Sequence, residues 1–349
     1  MFEQIIGNDQ IKASLTHAIK SQTLPQSMLF VGLEGIGKSL FAEEVAKSLP
    51  GGADLHVYRP EGKIGMHSIA SMREFSESVY MAPFQGAWKV FIIHDAERML
   101  SYSANALLKT FEEPATDSII ILLSSNSAAL LPTILSRCRT VRFQNLKTEE
   151  IAAFLEKQRD QKPEQAHYLA NIAQGSLGRA IRILEQGGEK TREMVLAIMS
   201  QGKMASWKQL SQVAQQISAK VEESKNLLEE QVKTELYQAP QENLTALQKE
   251  NIQKEVDGFL AMRQFDEACA LFEMIYGWYR DLELLKVNGN RTWLMHRDYE
   301  EALEQALQRG VALPLGHVQK IIEDVRLSLE RSTSLTVCLE TLFLRLQLL

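Results

Sequence analysis

The sequence is short of several features that would decide its class at once. It has three cysteines in 349 residues, Cys138, Cys269 and Cys338. They lie far apart with no CxxC pair, which argues against a disulfide framework and a zinc knuckle. No apolar run approaches the ~18 residues of a membrane helix. The opening MFEQIIGNDQ has no basic segment followed by an apolar core, so no secretory leader is expected. Positive charge is not in excess, since 38 Lys and Arg face 44 Asp and Glu for a net charge of −6. Bulk coating of DNA depends on Lys and Arg neutralising phosphates, and this balance argues against it while leaving a local basic patch open. There is no fixed-period repeat and no low-complexity tract. What remains is ordinary globular composition, 45% apolar and 23% charged. At ~100–200 residues per domain the length suggests two or three domains. The expectation is a soluble, reduced, cytoplasmic protein with no membrane contact.

The first ~145 residues alternate helical and strand-like patterns, as α/β domains do. Ile11, Leu15 and Ile19 lie four apart and predict an amphipathic helix, with Asp9 as its cap and Leu24-Pro25 as its break. Ser27 to Val31, Lys89 to Ile93 and Ser118 to Leu123 are short apolar runs without alternation, and Thr140 to Phe143 is a fourth candidate strand. Such runs fit a parallel sheet covered on both faces by helices. A helix carries Phe41, Val45 and Leu49 and ends at Pro50-Gly51-Gly52; another covers Asn105 to Phe111. After Leu146 strand signals nearly vanish. Residues 147–200 read as short helices. From Trp207 a stripe of Leu210, Val213, Ile217, Val221, Leu228 and Val232 predicts a long helix, broken at Pro240. Separate helical stretches follow around Phe259 to Phe265, Leu271 to Leu285 and Ile321 to Leu349, with a turn at Asn288-Gly289-Asn290.

Gly32-Leu33-Glu34-Gly35-Ile36-Gly37-Lys38-Ser39 matches GxxxxGK[ST] without a departure, after an apolar strand and before a helix. The glycines let the backbone curl so that its N–H groups converge on phosphate oxygens. Lys38 would reach the outer phosphates and Ser39 would offer a hydroxyl to Mg²⁺. The helix N-terminus adds unsatisfied N–H groups and a favourable dipole. Nucleotide binding, with ATP as the cofactor and Mg²⁺ as its companion, is the expected chemistry.

Phosphate-loop ATPases follow a later apolar strand with an Asp that holds Mg²⁺, and many add a Glu that activates water. Here the strand continues as His94-Asp95-Ala96-Glu97. Asp95 can be read as the metal Asp with Ala96 at the base position. The preferred frame puts His94 at the Asp position and Asp95 at the Glu position, so that Ala96 and Glu97 also match. Either frame removes a hydrolytic part. Imidazole suits Mg²⁺ poorly, since that ion prefers oxygen. Asp is one methylene shorter than Glu, and a ~1 Å misplacement of a catalytic group can cost ~100-fold in rate. Weak or absent hydrolysis follows, with His94 read as a structural residue at a strand end.

Several longer stretches resemble the clamp-loader AAA+ family, and within it the delta-prime type of bacterial DNA polymerase III. Leu24 to Phe30 is similar to that family's LPHAxLF, Asn105 to Pro114 to its NALLKxLEEP, and Leu131 to Cys138 to its LPxTIxSRC. Phe2 to Asp9 resembles the segment near the nucleotide base, Gly175 to Ala180 the GSxxxAL segment of the lid, and Tyr276 to Leu282 the WxRDL stretch of the collar. The resemblance implies an α/β P-loop domain over 1–146, a helical lid over 147–205 and an all-α collar over 206–349. It makes Arg137 an arginine finger acting in trans, Arg179 a contact to the chain's own nucleotide, and Ser125 or Asn126 a sensor near the phosphates. Cys138 reads as a small buried hydrophobe, and Glu112 and Glu113 as cap and surface charges. Pro50 to Met66 lacks the four-cysteine module of related motor subunits, so no zinc is expected. Implied partners are motor subunits of the gamma/tau type, a delta-like clamp-opening subunit, and, through the assembly, the sliding clamp and primed DNA. An active motor subunit of the same complex is the alternative reading.

Overall fold

The computed structural model describes all residues except 62–64, 101–103, 106, 187, 237–245, 311–312 and 349. The chain divides into two compact units: Met1–Arg182 with Leu247–Phe259, and Ile183–Ala246 with Leu260–Leu349.

The first unit is built on a five-stranded sheet in the order β2-β3-β4-β1-β5, with every pairing parallel. Its strands are β1 (Ser27–Val31), β2 (Ala53–Tyr58), β3 (Trp88–Ile93), β4 (Ser118–Ser124) and β5 (Arg139–Arg142). The apolar runs explain themselves here, because successive side chains leave opposite faces. Val90, Ile92, Ile119 and Ile121 join one core with Phe30, Phe41 and Phe143. Phe91, Ile93, Ile120 and Leu122 join the other with Leu29, Phe75 and Ile134. Both faces are apolar because helices cover both. The helices on the sheet are α1 (Asp9–Lys20), α2 (Lys38–Lys47), α3 (Ile69–Val79), α4 (Leu108–Glu112) and α5 (Pro132–Leu135); α6 (Thr148–Arg159), α7 (Pro163–Ala173) and the start of α8 (Leu177–Gln186) follow in the same unit. Strand β2 and helix α3 were not anticipated. β2 is an edge strand, mostly half-exposed, so it carries no continuous apolar signal. The cap of α1 is Asn8, in a left-handed conformation, and not Asp9, which pairs with Lys12 at 2.8 Å inside the first turn. Helix α1 also stops at Lys20, before Leu24-Pro25, through a turn in which Gln22 has φ 55°.

The second unit is helical, with α9 (Gly188–Gln201), α10 (Trp207–Leu236), most of α11 (Ala246–Lys286), α12 (Glu300–Gln308), α13 (Leu315–Glu330) and α14 (Leu335–Arg345). Leu210, Ala214, Ile217 and Val221 of α10 are buried against Phe272, Ile275 and Trp278 of α11 and against Leu339, Leu342 and Phe343 of α14. Trp207, expected on that stripe, is the first helical residue and stands exposed. Two stretches expected to be separate, around Phe259 and Leu271, are one 41-residue helix. The single run expected over Ile321 to Leu349 is two helices, parted where Ser332 takes φ 66°. The expected break at Pro240 and Ala106 of the Asn105 helix lie outside the described residues.

The WxRDL-like stretch has a structural use in this unit. Asp281 is fully buried, and its carboxylate accepts from the N–H of Met295 (2.9 Å) and of His296 (2.8 Å), which pins the segment before Glu300. His296 donates through Nε2 to the Met274 carbonyl at 3.1 Å. Arg192, also buried, meets Asp298 with two hydrogen bonds of 2.6 and 2.7 Å.

Candidate functional site

In an open parallel sheet, ligands bind beyond the carboxyl ends of the strands, where the strand order switches. β1 lies between β4 and β5, so the turn after Val31 sits at such a point. Gly32 to Gly37 form that turn, and α2 begins at Lys38. Gly35 has φ 74° and Gly37 has φ 99°, a left-handed region that an L side chain resists. Lys38 is buried, and its ammonium donates to the carbonyls of Gly32 (2.6 Å) and Leu33 (2.9 Å). Burial pulls its pKa down, while Asp95, Glu97 and Glu34 push it back up. Ser39 is half-buried at the second position of the helix.

The start of α8 lies directly on this turn. Ser176 Oγ donates to the Glu34 carbonyl at 2.7 Å, and the Gly178 N–H donates to the Gly35 carbonyl at 2.9 Å. A Cβ on Gly178 would come within 2.8 Å of Gly35 Cα, so the approach needs glycine. Arg182 Nη1 meets Glu34 Oε1 at 2.8 Å. These contacts take up carbonyls and a carboxylate, not the N–H groups a phosphate would use. Arg179 stands half-buried on the same helical turn, with its N–H on Ser176 Oγ. Arg182, three residues on from Arg179, also meets this segment, through Glu34.

At the end of β3, His94 continues the ladder by donating its N–H to the Tyr58 carbonyl at 2.9 Å. Asp95 then turns left-handed with φ 47°, an uncommon conformation for a residue with a side chain. Burial, then the charge of Glu97, pushes the Asp95 carboxyl up to about 6. Burial, then Arg59, holds the His94 imidazole down at about 3, so it stays neutral. His67, absent from the sequence reading, is wholly buried and donates through Nε2 to the His94 carbonyl at 2.7 Å. A carbonyl only accepts, so Nε2 carries the proton; Nδ1 is buried with no partner. Glu97 ties β3 to β4: its Oε1 accepts from the Ser125 N–H (3.0 Å) and Oγ (2.6 Å). Its Oε2 is buried without a protein partner. Ser125 is thus engaged, and Asn126 uses its side chain to accept from the Ala128 N–H.

The loop therefore fits a phosphate group. It offers a left-handed glycine turn, a buried ammonium and the N-terminus of a ten-residue helix. It also has three carboxylates near Lys38, more negative charge than one ammonium offsets. Among the described residues no group of three or more His, Cys, Asp or Glu is arranged to hold a metal ion.

Arg137 lies elsewhere. β1 and β5 are parallel, with Met28 level with Arg139 and Val31 level with Arg142. The phosphate loop follows Val31, whereas Arg137 precedes β5. The Met28 and Val31 levels, three residues apart at ~3.3 Å each, are separated by about 10 Å along the strands, with Arg137 and the loop beyond them at opposite ends. The Arg137 Nε donates to Glu112 Oε1 at 2.6 Å and its Nη1 to the Thr133 carbonyl at 2.9 Å. Glu112, taken as a plain surface charge in the sequence, is the residue that holds Arg137. Cys138 behind it is buried, and burial pushes its thiol up to about 12, so it is inert.

Comparison with known proteins gives the following. Residues 51–147 match the family model described as DNA polymerase III, delta subunit. The chain is 34% identical over 181 residues to the DNA polymerase III subunit delta′ of Bacillus subtilis, covering 45% of this chain and 54% of that protein. It is 28% identical over 212 residues to the DNA polymerase III subunit gamma/tau of Mycoplasma pneumoniae, covering 53% and 30%. Among solved structures, the Thermotoga maritima RuvB Holliday junction branch migration motor is 18% identical, with a TM-score of 0.41 over 56% of this chain and 64% of that one. The matched part spans less than two thirds of the length of these curated relatives. No helix among the described residues is long and apolar enough to cross a membrane.

Proposed function

We propose that the chain is a clamp-loader AAA+ protein and, within that family, a delta-prime-like subunit of a bacterial DNA polymerase III clamp loader. In this reading it binds ATP at its own loop with weak or no turnover and lends Arg137 to the site of a neighbouring motor subunit. The observation that carries the reading is the placement of Arg137. It precedes β5 at the end of the sheet opposite the loop and pairs with Glu112, which supports a role outside its own nucleotide site. An arginine supplied in trans stabilises the charge that builds on a transferring phosphoryl group and is worth ~10³–10⁵ in rate.

Within its own site the N–H groups of Gly35 to Ser39 and the Lys38 ammonium would hold the phosphates, and Ser39 with Asp95 would face Mg²⁺. ATP supplies a phosphoryl group and a charge that this loop can bind. Asp95 is a poor base for water. It is one methylene shorter than Glu and leaves a backbone in the left-handed region. Residues 1–146, 147–205 and 206–349 would act as nucleotide domain, lid and collar, in the cytoplasm, with gamma/tau-like and delta-like subunits, the sliding clamp and primed DNA as partners. The likeness to gamma/tau subunits and the complete phosphate loop favour the second reading, an active motor subunit.

ATPase assays separate the two. The purified chain should turn over ATP slowly or not at all, and robust Mg²⁺-dependent turnover would sink the first reading. In the reconstituted assembly Arg137→Ala should lower ATPase activity at least tenfold with the chain still folded. An unchanged rate removes the finger.

A further inference from the structure

The phosphate loop carries an acidic residue of its own. Glu34 sits between Leu33 and Gly35, and its charge bears on both Lys38 and Asp95. Lys38, the one cation of the loop sequence, feels Asp95, Glu97 and Glu34 together. Arg98 offsets Asp95. The Glu34 carboxylate faces Arg182, whose guanidinium is 2.8 Å away and reaches it across 148 residues of sequence. The backbone of the same segment is locked to the loop on both sides of Glu34 and Gly35, by Ser176 and Gly178. Arg182 is thus delivered to Glu34 by a fixed support.

We propose that Arg182 is a positioning residue for the nucleotide: it neutralises Glu34 and draws that carboxylate aside, so that a polyphosphate can occupy the loop. The proposal rests on the reading of this loop as a nucleotide site. Two half-exposed charges contribute little to fold stability. The same pair bears more on an incoming polyanion, since repulsion from an uncompensated Glu34 acts on every phosphate charge near it. The penalty for losing Arg182 therefore grows with ligand charge, which a residue that merely held the lid in place would not produce.

The test is calorimetric titration of the full chain with ATP, ADP and adenosine, alongside thermal unfolding without ligand. Arg182→Ala should weaken ATP about tenfold, ADP less and adenosine not at all. Arg182→Lys should retain most of the affinity, and the double change Glu34→Gln with Arg182→Ala should restore it. An equal loss for all three ligands, or no recovery in the double variant, overturns the proposal while the nucleotide site stands. If the folded wild-type chain binds no ATP, the nucleotide reading falls and the proposal falls with it.

Discussion

Gly178→Ala isolates the contact between the start of α8 and the phosphate loop. Gly178 is the second residue of α8 and its backbone is not left-handed, so alanine costs nothing conformationally. On helix propensity alone the change should stabilise by up to about 1 kcal/mol. The new Cβ, however, would stand 2.8 Å from Gly35 Cα and 3.4 Å from its carbonyl oxygen, both backbone atoms. If the segment stays, crowding costs ~1–3 kcal/mol. If it lifts, two hydrogen bonds are lost at about 1 kcal/mol each, those to the carbonyls of Glu34 and Gly35. Net of a full propensity gain, the loss is at most about 2 kcal/mol if the segment stays and about 1 kcal/mol if it lifts. Hydrogen exchange read by mass spectrometry should show faster exchange over 32–39 and 176–182, with a lower thermal midpoint. Gly316→Ala is the control, since nothing lies within 4 Å of its added Cβ and α13 should only gain. Refutation is simple to recognise: Gly178→Ala behaving like Gly316→Ala, with unchanged exchange over the loop, would show that the close approach constrains nothing.

Two further predictions concern buried charge. Folding raises the Asp95 carboxyl from 3.8 to about 6, so the folded chain holds this proton more tightly than the unfolded one. Stability is therefore lost as pH rises through about 4 to 6, by at most about 3 kcal/mol. Asp95→Asn should gain up to that amount at pH 8 and nothing at pH 4, in urea unfolding midpoints. The depressed His94 works the other way, losing stability as pH falls from 6.5 towards about 3. The variant should therefore have a steeper acid limb than the wild type; equal differences at pH 4 and pH 8 would contradict this. In the helical unit, Asp281→Ala leaves the N–H groups of Met295 and His296 without their acceptor in a buried place. A loss of about 2–4 kcal/mol is expected in thermal unfolding, and a midpoint within one degree of wild type would remove this role.

The strands β1, β3 and β4 were legible because both faces are buried and their residues form unbroken apolar runs. β2 was not, because an edge strand with Asp54 and His56 carries no such run. The join of two expected helices into α11 was hidden for a related reason. Its residues up to Phe259 belong to one unit and those from Leu260 to the other, so no single apolar stripe runs its length. The phosphate loop was legible because its chemistry is local. Glu34 with Arg182, Glu112 with Arg137 and His67 with His94 were not, since each pair is joined only by folding. A polar residue beside a motif gives no sign of which distant partner it will meet.

Were Arg137 to act in trans as proposed, its separation from the phosphate loop would also bear on how subunits associate, since the end of one sheet would meet the opposite end of its neighbour. Contacts of this kind are heterologous and run head to tail. They give a row of subunits a direction, with a first member and a last. A subunit that lends an arginine yet turns over little nucleotide itself suits the end of such a row, where its own loop faces no donor.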